Sequence, residues 1–349
     1  MKKLTVLLLC LLITFTSGSA EAAPKRYQAE FLSLFDTVTT VVGYAGSKEE
    51  FTSLAEDVRA KLWEYHRLYD VYNNYDGLNN LKTINDNAGI KPVAVDARII
   101  DLLEFAREKY ALTDGAVNIA MGSVLRLWHD CRVAGILDPE SAALPDMDAL
   151  RAAARHTDIN SVVIDRAASS VFLRDPLMRL DVGAVAKGYA TEQTARYLEQ
   201  KGVRRLLLSV GGNIRAIGNK LDQYNRETPW VVGVRNPDRD SGQTELLSVR
   251  CTNEALVTSG GYERYFTVGG RQYHHIIDPE TLMPSARFKA VTILCHDSGF
   301  ADGLTTAVFN MPLTRGRALI DSLAGVEALW VLQDGTLVTS SGFDAHRAA

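Results

Sequence analysis

Asp181-Val182-Gly183-Ala184-Val185-Ala186-Lys187-Gly188-Tyr189-Ala190 is a glycine-punctuated turn that runs into a helical pattern, and its spacing decides between two folds. A dinucleotide-binding βαβ unit needs its glycines in the GxGxxG pattern where a strand turns into a helix. Here Gly183 and Gly188 stand five positions apart, and that reading fails. The surroundings favour α+β over regular βαβ alternation. Upstream, residues 31–44 are rich in Thr and Val and read as a strand. Ser47-Lys48-Glu49-Glu50 then has the form of a capping box, followed by Phe51, Leu54, Val58, Leu62, Tyr65 and Tyr69 at helical spacing. Further helices are expected over 96–110, through Trp128, and over 146–156. Downstream, short runs of β-branched and aromatic residues lie at 205–210, 213–217, 230–234, 246–251, 256–258, 264–268, 273–277 and 289–294, with Gly269-Gly270 as a hairpin turn. Helices are expected again only over 181–200 and 298–323.

The chain has 349 residues, 46% apolar and 23% charged, which is the composition of a globular protein with room for a large core. Its formal charge of −4 and the lack of a basic run exclude the electrostatic footprint of a nucleic-acid binder. Lys2 and Lys3, the apolar run 4–15 and the small residues before Ala23 have the three parts of a cleavable export leader over residues 1–22. That places the remainder, 23–349, in the periplasm as one domain, divisible into lobes 23–165 and 166–349 and peripheral to the inner membrane at most. Leu9 precedes Cys10 where a lipoprotein leader carries a small residue, so lipid anchoring is the weaker expectation. Cys131, Cys251 and Cys295 permit one disulfide at most, and the last two lie in β-like runs as small apolar residues.

Several segments carry chemistry. In the opening stretch an acidic residue, two glycines and Lys187 surround a helix start whose N–H groups suit a phosphate-bearing ligand; Asp181 serves equally as a cap and Lys187 as a solvated side chain. The loop 69–80, rich in Tyr and Asn, suits a flat heteroaromatic ligand or a surface loop held by Asn turns. Val210-Gly211-Gly212-Asn213-Ile214 and Thr258-Ser259-Gly260-Gly261-Tyr262-Glu263-Arg264 let backbone lie close to a ligand, or simply turn between strands. His274 and His275 are adjacent on a strand and point to opposite faces, so at most one of them faces a given site. In Ala301-Asp302-Gly303-Leu304-Thr305-Thr306, Asp302 and Thr306 lie one helical turn apart, an oxygen pair suited to Mg2+ or to a capped, buried helix.

In order, DVGAVAKGYA from Asp181, SVGGNI from Ser209, TSGGYER from Thr258, HIIDP from His275 and ADGLTTAVF from Ala301 resemble the signatures of the ApbE family, the FAD:protein FMN transferases, across residues 31–311. The resemblance implies helices packed on mixed, largely antiparallel sheets with a ligand cleft between two lobes, FAD as substrate and Mg2+ on its pyrophosphate. It assigns the metal to the Asp302 carboxylate, the Thr306 hydroxyl and the Ala184 carbonyl. Asp181, Lys187, His275 and Ile276 would contact FAD, Tyr72 would face the flavin, and Ala116-Val117-Asn118 would take the place of a ligand-contacting GAFD-like segment. Phe35 stands for the Met of an MGT-like motif. Gly261 replaces an Asp, Gly303 an Ala, Leu282 a Gly and Asn118 an Asp of the family pattern. The implied reaction is attack of a Thr or Ser hydroxyl of an exported electron-transfer subunit on the FMN-side phosphorus with loss of AMP, His275 acting as base; Asp302 is a second candidate for that role. FAD pyrophosphatase and non-catalytic flavin binding in the periplasm are the competing expectations.

Overall fold

The computed structural model describes residues 23–348, and the leader expected over residues 1–22 lies outside the described residues. The frame is one sheet of eight strands: β1 (Lys25–Leu34), β2 (Thr37–Ala45), β3 (Leu206–Val210), β4 (Asn213–Ile217), β5 (Ala255–Gly260), β6 (Phe288–Cys295), β7 (Glu327–Leu332) and β8 (Leu337–Thr339). Each pairs antiparallel with its successor, so strand order in space is strand order in the chain. Apart from a final helical turn, Phe343–His346, every other described element is inserted between consecutive strands. The insert between β2 and β3 carries α1 (Lys48–Tyr69), α2 (Leu81–Asp86), α3 (Ala97–Leu112), α4 (Gly122–Leu137), α5 (Met147–Ala154) and α6 (Ala186–Gln200); that between β6 and β7 carries α7 (Ser298–Asn310) and α8 (Leu313–Asp321). This is the expected α+β class with largely antiparallel pairing.

Side chains alternate across a strand, and here both faces are covered. Val41, Val257 and Ile293 enter a large core beneath α1, α3, α6 and α7. Their neighbours Val42, Leu256 and Leu294 enter a second core closed by the hairpin Trp230–Arg235 and Glu245–Cys251. A third cluster joins Val124 and Trp128 of α4 to Leu150 of α5 and to Phe266 on the hairpin Tyr265–Val268 and Arg271–His274. Cys251 and Cys295 are buried and free, and burial pushes both thiols up to about 12, which leaves them as small apolar residues.

Four expectations are corrected. The single strand over 31–44 is two strands, broken at Phe35 and Asp36, whose φ angles of 52° and 53° no extended strand can hold. The helix over 298–323 ends at Asn310, because Pro312 holds extended backbone before α8 and cannot donate to a continuing helix. β7 went unread because Ala328, Leu329 and Trp330 are all fully buried, so it shows no alternation. The helix expected from Asp181 starts at Ala186; the Asp181 carboxylate accepts the Gly183 N–H at 2.8 Å in a turn before it and is no helix cap. Val162–Asp165 pairs with Ser170–Leu173 in a hairpin whose turn holds residues 166–169.

The tightest joint is between α6 and α7. Glu192 of α6 is buried with Arg215 of β4, accepts its Nε–H at 2.9 Å, and accepts the Ser298 N–H at 3.0 Å at the start of α7. One turn earlier, Gly188 lies so close to α7 that a Cβ would overlap the Ser298 carbonyl oxygen and Asp302 Cβ. At Gly303, by contrast, a Cβ would meet its nearest atoms, on Lys109 and Val185, at 3.5 Å, which is ordinary contact. Gly188→Ala is therefore expected to lower unfolding free energy by about 1–3 kcal/mol, as overpacking does. Gly303→Ala is expected to raise it by about 0.5–1 kcal/mol through helix propensity. Urea unfolding of the two variants tests the contrast; equal shifts would contradict it.

Candidate active site

The site grows from that joint. Gly188 N–H donates to Asp302 Oδ2 at 2.8 Å instead of following the helical rule toward the Ala184 carbonyl. Around the helix start Val182 takes the N–H groups of Val185 and Ala186, and Val185 takes that of Tyr189. Among the described residues none is directed at Ala184, whose carbonyl is thus left beside a buried carboxylate. Lys187 Nζ lies 3.8 Å from Asp302 Oδ1. Thr306 is half-buried one turn along α7 on the same face as Asp302, while Thr305 is turned inward, donating to the Asp302 carbonyl at 2.8 Å and accepting from Ser259 at 2.9 Å. Asn213 of β4 is buried near Asp302, its Oδ1 unpaired among the described residues. A carboxylate, a hydroxyl and a free carbonyl are all hard oxygen donors, so these residues fit Mg2+. Among the described residues no three His, Cys, Asp or Glu side chains converge; an ion here would complete its shell with main-chain, hydroxyl and ligand oxygens.

His275 forms the next part of the wall. Its Nδ1 lies 3.2 Å from the Arg264 carbonyl, which also takes its backbone N–H at 3.1 Å. A carbonyl only accepts, so Nδ1 carries the proton and Nε2 keeps its lone pair. The residue is exposed to the cleft. Crowding by the cleft walls, then the positive charges of Arg264 and Lys187, push its imidazole below the ordinary range and keep it neutral at neutral pH. His274 points the other way, as strand alternation requires, and is fixed by the Ser285 carbonyl at 2.8 Å and the Ile276 N–H at 3.2 Å. Its ring fills the space that a side chain at Gly261 would need. Leu282 holds φ of 60°, a conformation that suits glycine, while its carbonyl accepts Trp128 Nε1 at 2.9 Å.

Arg264 also reaches the Phe35 and Asp36 carbonyls at 3.3 and 3.2 Å, and His66 accepts the Phe35 N–H at 3.1 Å. The left-handed turn between β1 and β2 is thereby tied to the strand end carrying His275. On the far side Tyr72 and Asp181 line a cavity of about 230 Å3 with Gly122, His129, Arg179 and Leu180. Burial raises the Asp181 carboxyl above its ordinary range, opposed by the Gly183 N–H and by the neighbouring His129 and the charged Arg132. Arg132 is held below its ordinary range by burial and then by Arg264. Lys187, Arg264 and Arg132 thus give the cleft a positive lining suited to phosphates.

Of the expected site residues, Lys187 and Asp302 are direct neighbours with Thr306 one turn along α7, Tyr72 and Asp181 share the cavity, and Phe35 is tied through Arg264 to the strand end that carries His275. Val117 and Ile276 are core residues, 1% and 6% exposed, so a contact with a ligand at either position falls to the main chain. Ala116 packs half-buried against the core. Asn118 has both ends of its amide engaged, with the Thr157 carbonyl and the Ala120 N–H, each at 2.9 Å. Arg264, Arg132, His129 and Asn213 were not singled out individually in the sequence; of these only Arg264 and Asn213 lie within motifs that were.

A buried carboxylate with lysine and arginine side chains around it is an arrangement suited to a phosphate-bearing ligand accompanied by a cation. The sequence profile of the ApbE family matches residues 35–330, and the chain belongs to that family. It is 35% identical over 272 residues to a FAD:protein FMN transferase of Treponema pallidum, covering 75% of this chain and 73% of the relative. Identity is 30% over 283 residues to a FAD:protein FMN transferase of Klebsiella pneumoniae, covering 79% and 84%. The crystal structure of the ApbE protein from Thermotoga maritima matches 93% of this chain and 100% of its own at a TM-score of 0.80 and 28% identity.

Burial holds the Asp302 carboxyl above its ordinary range, opposed by Lys187, the Gly188 N–H and Asn213. The folded state then binds that proton more tightly than the unfolded chain, so stability falls as pH rises from the free value of 3.8 through the raised folded value. Above that window the charge is a standing destabilisation. Asp302→Asn, which keeps an oxygen acceptor for Gly188, is expected to raise the urea midpoint at neutral pH with a chelator present. The gain should shrink as pH approaches the free value; a gain independent of pH would contradict the assignment.

Proposed function

We propose that this chain is a Mg2+-dependent FAD:protein FMN transferase that moves the FMN half of FAD onto a Thr or Ser hydroxyl of an exported acceptor and releases AMP. Family membership supports the reaction class. The observation that carries the reading to this cleft is the diverted Gly188 N–H, which binds the Asp302 carboxylate to the start of α6 and leaves the Ala184 carbonyl without a backbone donor. The expected leader over 1–22 makes the periplasm the proposed compartment. No described helix is long and apolar enough to cross a membrane.

The acceptor oxygen attacks the FMN-side phosphorus; a new P–O bond forms, the bond from that phosphorus to the bridging oxygen breaks, and AMP departs with the bridging oxygen and its electron pair. His275 Nε2 takes the hydroxyl proton, for which its neutral, Nδ1-protonated form is prepared. Lys187 and Arg264, whose charges already bear on His275, meet the pyrophosphate charge. Asp302, Thr306 and the Ala184 carbonyl would hold Mg2+, which when bound neutralises pyrophosphate charge and stabilises the leaving oxygen. Asp181 and Tyr72 would border the rest of FAD.

Incubation of the mature chain with FAD, Mg2+ and a candidate exported acceptor should add the mass of FMN to the acceptor and release AMP. AMP without the mass gain would assign the site to hydrolysis, and intact bound FAD to storage or carriage of flavin. His275→Ala is expected to lower the transfer rate by about 10²-fold or more while leaving FAD binding nearly unchanged. Asp302→Ala that kept full, metal-dependent activity would remove Asp302 from the site.

A further inference from the structure

Tyr72 is 51% exposed although its ring rests on the ring of His129, with centroids 4.7 Å apart and planes 27° from parallel. Its main chain is fixed by Asp70, whose Oδ1 accepts the Tyr72 N–H at 2.7 Å. His129 comes from α4 and is held in turn by Arg132, one turn on, whose guanidinium lies 3.1 Å from Nδ1. Guanidinium nitrogens only donate, so Nδ1 bears the lone pair and the neutral ring carries its proton on Nε2. The Tyr72 hydroxyl lies 3.4 Å from the same nitrogen. Three side chains are thus assembled outward from α4, ending in an aromatic ring with one face covered and the other open to solvent. The assembly stands at the cavity that Tyr72 and His129 share with Asp181. Packing of α4 does not explain it, since that helix enters the core through Val124 and Trp128.

We infer that His129, braced by Arg132, is a positioning residue that sets Tyr72 as a platform for the planar ring system of the flavin. The inference rests on the function proposed above and adds the residues that define how the ring is recognised. A tyrosine without backing on one face sweeps several rotamers and must be ordered when a ligand stacks on it; His129 supplies that order beforehand. Its effect belongs to binding of the ring and not to transfer of the phosphoryl group.

Titration of the full mature chain with FMN and, separately, with ADP divides the ring's contribution from that of the pyrophosphate and adenosine. His129→Ala is expected to weaken FMN about 3- to 10-fold, the size of one stacked aromatic contact, with ADP changed less than about twofold. His129→Phe, which keeps a flat ring beneath Tyr72, should restore most of the FMN affinity. In turnover, His129→Ala should raise KM for FAD with kcat little altered. Unchanged FMN affinity in His129→Ala, equal weakening of FMN and ADP, or no rescue by Phe would overturn the inference alone. A wild-type chain that binds neither FMN nor FAD would overturn the proposed function and this inference with it.

Discussion

Two helices meet at Gly188 with no room for a side chain, and the site depends on that contact. Only at such a distance can the Gly188 N–H leave its own helix and bond the Asp302 carboxylate across the interface. The exchange satisfies a charge that burial would otherwise leave exposed to a low-dielectric surrounding, and it frees the Ala184 carbonyl in the turn that leads into the glycine's own helix. The buried Glu192 and Arg215 hold the same joint from behind, with Ser298 as the third partner. Breaking such a pair is far more disruptive than its net contribution suggests, because one charge is then stranded. The joint is thus rigid where the chemistry needs fixed oxygens.

Electrostatics divides the cleft by function. Asp302 and Asp181 are carboxyls held above their ordinary range, at opposite ends of a surface whose nearer charges are Lys187, Arg264 and Arg132. Arg264 bonds main-chain carbonyls and Arg132 bonds a histidine, so neither spends its charge on a directly contacting carboxylate. Cations arranged in this way repel one another until an anion arrives, which gives a polyphosphate ligand a larger share of the available attraction than surface arginines already paired in ion pairs could offer.

How much of this was legible in the sequence depended on range. Asp302 with Thr306, and Asp181 with Lys187, are readable because each pair lies within a few positions and helix geometry brings its members together. The strand-rich second half was readable from β-branched runs between glycines. Phe35 and Asp36 hid a chain reversal inside a strand-like run, since nothing in a Leu-Phe-Asp-Thr sequence announces two left-handed residues. β7 gave no alternation because both of its faces are buried. Arg264 acquires its part only through Phe35, 229 positions away, and His129 only through Tyr72, 57 positions away. No local pattern encodes such partners. Val117 and Ile276 show the reverse: a motif can mark the main chain of a position whose side chain serves the core.

The meander order of the sheet bears on when the protein becomes competent. Every pairing but one joins strands separated by a hairpin or a moderate insert; β2 and β3 are separated by nearly all the helices, with Thr39 opposite Val210. Closing so long a loop is entropically the most demanding step of the topology and weights it toward high contact order. The turn at Phe35 and Asp36 belongs to the hairpin that docks in this step, and Arg264 takes its bearings from that turn while its carbonyl orients His275. Orientation of His275 is therefore coupled to the longest-range closure among the sheet pairings. A partly folded form that kept the α6–α7 joint but lacked this closure would hold Asp302 and Lys187 together while His275 was still unoriented.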